Sequence, residues 1–208
     1  HNWLSLPLRQ DDAASVSLGA LEGRINFVYA GNMGVAQDMD AFVELARHMT
    51  DRADVGFLFI GRGSETQRLK RAAEALPNLL VLDEIAPEAL PALLARCHVG
   101  IVALHPAHGT HNIPGKLLTY LHAGLPVLAR VNANNDLMQL VEQEGIGLAV
   151  GGDDAALLHA HASRLVDAHD QRKEMGARGR VLAERMFSPR SAAAQVAAAL
   201  GGQHDAVR

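Results

Sequence analysis

Ile25-Asn26-Phe27-Val28-Tyr29-Ala30-Gly31-Asn32-Met33-Gly34 decides the fold. Its first six residues form a short run of apolar, β-branched and aromatic side chains, and the last four form a glycine turn. That combination predicts a buried strand ending in a loop. Ala41, Phe42, Leu45, Ala46 and Met49 then recur at helical spacing and paint one face. The unit repeats in kind. Val55 to Ile60 is a second continuous apolar run, ending on Gly61-Arg62-Gly63-Ser64-Glu65 ahead of a helical stretch carrying Leu69, Ala72, Ala73 and Leu76.

Further along, the spacing predicts strands over Leu79 to Leu82, Val99 to Leu104, from Pro126 to Ala129, and over Ile146 to Val150. Between them lie a short helix from Pro87 to Ala95, a helix from Gly115 to Ala123 closed by Gly124, and a helix from Leu137 to Glu144. Helices over Asp153 to His169, Gln171 to Met186 and Ser191 to Leu200 complete the pattern. Continuous apolar strands alternating with helices imply a parallel sheet buried on both faces. The expected class is therefore α/β, a Rossmann-like, doubly wound parallel sheet of about six strands with a helical C-terminal tail. Residues 1–23 read as a linker or lead-in arm, 24–200 as the domain and 201–208 as a tail.

Composition narrows the function. Of 208 residues 49% are hydrophobic, and 19 Lys+Arg stand against 23 Asp+Glu, a formal charge of -4. That excludes disorder and makes a phosphate-backbone binder or a polybasic membrane binder a poor fit. Cys97 is the one cysteine, so there is no internal disulfide and no cysteine zinc cluster; it reads as a small core hydrophobe. No apolar run reaches the roughly 20 residues that span a bilayer, and His1 to Gln10 lack the features of a signal peptide.

Ligands of such sheets bind at the carboxyl ends of the strands, near the topological switch point. Four loops lie there: Gly31 to Gly34, Gly61 to Glu65, His105 to Lys116, and Asn132 to Asp136. The two glycine turns offer bare backbone amides to an anion. Lys116 stands in the first turn of a helix, against the helix dipole, and a bound phosphate would account for it.

In order, Tyr29-Ala30-Gly31-Asn32-Met33-Gly34, Ile60-Gly61-Arg62-Gly63, Cys97-His98-Val99-Gly100-Ile101 and Pro114-Gly115-Lys116-Leu117-Leu118-Thr119-Tyr120-Leu121-His122-Ala123-Gly124-Leu125-Pro126-Val127 resemble the donor-nucleotide half of a retaining GT-B glycosyltransferase of the family-4 type. The resemblance runs from about Arg24 to Leu200. It implies a carboxyl-terminal domain that binds a nucleotide diphosphate sugar and a missing amino-terminal domain that holds the acceptor. Gly31, Asn32 and Gly34 would line the cleft. Gly61, Arg62 and Gly63 would approach the nucleotide and its phosphates, while Glu84 and Ile85 would present backbone to the base. Lys116, with the donor-binding segment Ile113, Pro114 and Gly115 and the amides of Ile113 to Lys116, would neutralise diphosphate charge as the leaving group departs, so Arg62 and Lys116 carry the catalytic expectation.

The resembled family commonly has two glutamates eight positions apart around this helix. Alignment on Ala123-Gly124-Leu125-Pro126 puts those positions at His111 and Thr119, neither a carboxylate; in their place Thr119 would hydrogen-bond the ribose and His111 would contact the sugar or phosphate. The Pro114-Gly115-Lys116 version resembles a subgroup associated with bacterial surface polysaccharide and lipopolysaccharide assembly, whose donors are often UDP-linked. The resemblance therefore implies transfer to a lipid-linked or saccharide acceptor, with no separate cofactor or metal. It also implies a cytoplasmic location at the inner face of the membrane, with any membrane contact made through the absent half.

Three other readings compete. Gly61-x-Gly63-x-x-Thr66 followed by Asp83 is close to an NAD-binding fingerprint, but Thr66 replaces the third glycine and the motif sits on the second βα unit. His105, His108 and His111 recur every three residues and could wrap a cation, although no nearby carboxylate or cysteine completes the set. A noncatalytic α/β binding module is the third.

Overall fold

The computed structural model describes residues 16–107, 114–133 and 135–187. Six strands, β1 (Ile25–Ala30), β2 (Val55–Ile60), β3 (Leu79–Leu82), β4 (Val99–Ala103), β5 (Val127–Val131) and β6 (Gly147–Gly151), form one sheet. All neighbours pair in parallel, in the order β3-β2-β1-β4-β5-β6. The chain therefore starts in the middle, winds outward to β3, then crosses to β4 and winds the other way. The crevice of this doubly wound order lies between the carboxyl ends of β1 and β4.

Parallel strands need crossover helices, and these divide between the two faces. On one face α1 (Asp40–His48), α2 (Thr66–Ala73) and α6 (Ala155–Asp167) bury Phe42, Leu45, Leu69, Leu158 and Leu165 against Phe27, Phe57 and Phe59 of the sheet. On the other, α3 (Leu90–Leu94), α4 (Gly115–Ala123) and α5 (Asp136–Glu144) bury Leu93, Leu117, Tyr120, Leu121, Leu137 and Val141 against Val28, Leu58, Val102 and Ala129. The apolar runs read as strands are buried along their length because both faces are covered: β2, β4 and β5 are buried at every position.

Small residues set the distances. A Cβ on Gly100 of β4 would overlap the Tyr120 ring, so this strand glycine admits α4 close to the sheet. Gly124 ends α4 at φ 73°, as the sequence predicts, and α7 (His169–Phe187) lies across α4 with Arg180 donating to the Ala123 carbonyl.

Some boundaries differ from the periodicity. The predicted helix over 87–95 is a 3-10 turn, Pro87–Ala89, followed by the short α3, because Pro91 removes a donor from the second turn. Residues 16–23 are packed on the domain rather than trailing from it: Leu18 and Leu21 are buried, and Arg96 reaches back to the Val16 carbonyl and to Glu22. The predicted helix over Ser191 to Leu200 and the tail 201–208 lie outside the described residues. Cys97 is buried, its thiol directed at the Leu93 carbonyl, and burial pushes its pKa up to about 12, which fits a core side chain.

Candidate functional site

The loop after β1 is the centre of the carboxyl edge. Its backbone is held from the β2 side, where Gly31 N–H donates to Ile60 O (2.9 Å), Met33 N–H to Arg62 O (2.7 Å) and Glu65 N–H to Met33 O (3.0 Å). Gly61 and Gly63, both at φ 147°, make this possible: a Cβ on either would run into the Gly31 or Met33 carbonyl. From the β4 side His105 N–H donates to Ala36 O at 2.8 Å. Within the loop, Gln37 Oε1 accepts from Gly34 N–H (3.0 Å) and from Asn32 Nδ2 (3.1 Å).

These bonds change the expected role of the glycine turns. The amides of Gly31 and Gly34 are spent inside the protein, as is that of Gly61, which donates to Leu82 O. Those amides hold the two turns backbone to backbone, which leaves the other amides of the turns as the ones that could meet an anion.

The cation beside the β1 loop is Lys116, which is half-buried. Helix α4 starts at Gly115 after Pro114, whose extended backbone (φ -63°, ψ 137°) turns the chain into the helix. Lys116 Nζ reaches β1, donating to Tyr29 Oη at 2.6 Å and lying 3.9 Å from the centre of the Tyr29 ring. The end of its side chain faces the α-carbon of Gly31, where a Cβ would sit 3.9 Å from Nζ. Burial lowers its pKa to about 8, and no carboxylate among the described residues pairs with it. Tyr29 donates in turn to Asn32 O, and the buried Tyr120 accepts from Ala30 N–H at 2.9 Å, so two phenols tie β1, its loop and α4 together. Burial pushes the ionisation of both phenols upward, so both stay neutral.

Arg62 stands one strand away. Its side chain is 81% exposed and lies 3.5 Å from Glu84 in the loop after β3. Ile85 beside it is half-buried against the face that carries α4. Thr119 is one turn beyond Lys116 on α4 and half-buried. The structure thus brings Gly31 and Lys116 together, with Asn32 and Gly34 in the same loop; the Arg62 backbone joins that loop by accepting from Met33 N–H, while its side chain turns to Glu84 on the β2–β3 side. His111 and Ile113, with His108, lie outside the described residues. The fourth loop is a helix cap: Asn135 Oδ1 accepts from Leu137 N–H at 2.9 Å, and Asn135 Nδ2 donates to Asn132.

A second feature was hidden in the strand pattern. Arg130, inside β5, is buried and bridges Asp38 (2.7 Å) and Asp153. Asp38 adopts the left-handed conformation at φ 46°, which an aspartate tolerates better than most residues. Arg130 thereby ties the end of the β1 loop to the loop after β6. A cleft of about 250 Å³ opens beside it between α1 and α6, lined by Asp40, Glu44, His48 and His159. It lies on the face opposite α4, and its carboxylates make it unsuitable for a phosphate. His161 on α6 has its Nδ1 buried, and burial lowers its pKa.

Residues 24–168 match the family model described as glycosyl transferases group 1. The chain belongs to that family. Among curated relatives of this glycosyl transferase domain, WbjE of Pseudomonas aeruginosa, described as a glycosyltransferase, is 23% identical over 172 residues, covering 80% of this chain and 42% of WbjE. WcaI of Escherichia coli, described as a colanic acid biosynthesis glycosyl transferase, is 27% identical over 178 residues, covering 76% and 43%. The chain thus spans less than half the length of these relatives. Among solved structures, Anabaena HepE in complex with UDP-glucose superposes with a TM-score of 0.70 at 14% identity, covering 90% of this chain and 54% of HepE. That likeness establishes the fold, the Rossmann-like half of a GT-B glycosyltransferase.

Family membership and topology together disfavour the nicotinamide reading. The Gly61–Gly63 turn follows β2, off the switch point, and its glycines are used against Gly31 and Met33. Asp83 is engaged with Lys70 at 2.7 Å. Among the described residues no group of three or more His, Cys, Asp or Glu could hold a metal ion, and no helix is long and apolar enough to cross a membrane.

Proposed function

We propose that this domain binds the nucleotide diphosphate sugar donor, UDP-linked, of a transferase that builds bacterial surface polysaccharide or lipopolysaccharide. The acceptor, a lipid-linked or saccharide hydroxyl compound, would be held by an amino-terminal domain making up the rest of the whole protein, at the cytoplasmic face of the membrane. The observation that carries the reading is Lys116, a cation without a carboxylate partner among the described residues, poised at Gly31 in the switch-point crevice. The relatives support the rest: WcaI is described as acting in colanic acid biosynthesis, and HepE was solved with UDP-glucose.

In this reading the crevice receives the diphosphate between the β1 loop and the first turn of α4. The amides of Gly115 and Lys116 at the helix start, and the Lys116 ammonium, face the β-phosphate. Their value grows as the glycosyl–oxygen bond breaks and negative charge collects on the departing diphosphate. That difference between ground and transition state accelerates transfer. Arg62 would serve the same charge after leaving Glu84, and the backbone at Glu84 and Ile85 would meet the base. Thr119 offers the ribose one donor and one acceptor, less than the carboxylate commonly found there.

Calorimetry of the chain with UDP, GDP and NAD tests the reading: UDP is expected to bind. Binding of NAD in place of either uridine or guanosine diphosphate would sink it. Lys116→Ala should weaken UDP by about tenfold to a hundredfold, the worth of a charged hydrogen bond, and leave uridine nearly unchanged. Equal losses for the two would remove Lys116 from the phosphate.

A further inference from the structure

We propose that Tyr29 is the positioning residue for Lys116: its phenol oxygen and ring face hold the ammonium at Gly31 without neutralising it. The proposal rests on the donor-binding reading for its consequence, but not for its geometry. A lysine normally carries its charged head into water on a flexible stem. Here the head is folded back onto β1, 2.6 Å from Tyr29 Oη and 3.9 Å from the ring centre, at the start of a helix whose dipole opposes it. Without something to hold it, an ammonium in that place would swing outward.

Tyr29 supplies two uncharged attractions at once. It is the penultimate residue of β1 and fully buried, and its hydroxyl hydrogen is committed to Asn32 O, which leaves an oxygen lone pair directed at Lys116. A carboxylate in this position would bind the lysine more tightly but would also cancel the charge that an incoming diphosphate needs. Among the described residues the titratable group in contact with Lys116 is Tyr29 on β1, which in turn adjoins Tyr120 of α4, and burial keeps both phenols neutral. The lowered lysine pKa is accordingly due to burial alone.

The chain has three lysines, Lys70, Lys116 and Lys173, so their side-chain NMR signals can be followed one by one, with Lys116→Arg for assignment. In the unaltered chain the Lys116 ε-methylene should be shifted upfield by the Tyr29 ring and titrate near pH 8, well below the other two. Tyr29→Phe keeps the ring and removes the acceptor. The ring-current shift should persist while the Lys116 midpoint falls by about one pH unit. UDP affinity should then drop about fivefold at pH 8 and little at pH 6, where the ammonium is protonated either way. A merely structural role would lower affinity equally at both pH values without moving the midpoint, and that result overturns the proposal. If Tyr29→Phe loses its cooperative thermal transition, the unaltered chain decides: an unshifted ε-methylene titrating with Lys70 and Lys173 overturns it. If the midpoint moves as expected but UDP does not bind, the pairing stands and the donor-binding reading fails.

Discussion

Gly61 is pressed against Gly31, backbone to backbone, so that a Cβ on Gly61 would overlap the Gly31 carbonyl oxygen. The contact joins the loops after β2 and β1, and Gly63 repeats it against Met33 two residues on. Both glycines also sit at φ 147°, a conformation that side chains rarely adopt. Gly61→Ala therefore carries a steric and a conformational cost, about 2–4 kcal/mol together. Urea denaturation should show that loss. UDP affinity should fall with it, because the displaced loop is the one Lys116 faces.

Lys116 should cost the free domain stability. Its folded pKa of about 8 lies below its ordinary 10.5, so the unfolded chain binds the extra proton between those values. The sign follows: this group's penalty is fully present below pH 8 and disappears as pH rises toward 10.5. Lys116→Met, which removes the charge and keeps the stem, should raise stability at pH 7 by roughly 1–3 kcal/mol while abolishing the phosphate contribution to UDP binding. Chemical denaturation at pH 7 and pH 10 checks it: the gain should shrink at the higher pH.

Arg130 is buried between Asp38 and Asp153. Arg130→Met should destabilise by about 2–4 kcal/mol, since Asp38 is left half-buried without its partner. Replacing Asp38 by Asn in the same chain should recover part of that loss, because the stranded charge is then gone. A thermodynamic cycle over the two single variants and the double variant measures the coupling.

His98 links β1 to the start of β4 at the end of the sheet away from the crevice. Its Nδ1 accepts from the Asn26 backbone N–H at 3.1 Å, and the His98 backbone N–H donates to Asn26 O at 2.9 Å. Burial first, then the charge of Arg172, lowers its pKa below the ordinary 6.5. The unfolded chain takes up the proton first, so the contribution is intact above pH 6.5 and lost as pH falls through the lowered folded value. His98→Asn should flatten the stability profile in that window, measured by denaturation between pH 7 and pH 4.5.

Much of this protein was legible in the chain itself. Continuous apolar runs such as Val55 to Ile60, alternating with one-faced helices, determine a parallel sheet buried on both sides, since no other arrangement hides them. The glycine at 124 and the loops ahead of helices follow from local chemistry in the same way. Tertiary structure alone decided which loops meet. Gly31 and Gly61 look alike in sequence, yet one borders the crevice and the other supports it, because β1 lies at the centre of the order and β2 beside it. Tyr29 reads as one more apolar residue in a strand until α4, 87 positions later, places Lys116 on its ring. Arg130 was visible only as a charge in an otherwise apolar strand; its partners, Asp38 and Asp153, come from loops far apart in the sequence, after β1 and after β6. Local sequence sets backbone conformation and which face is apolar, whereas contacts between distant loops are set by strand order, and that is a property of the whole packed sheet.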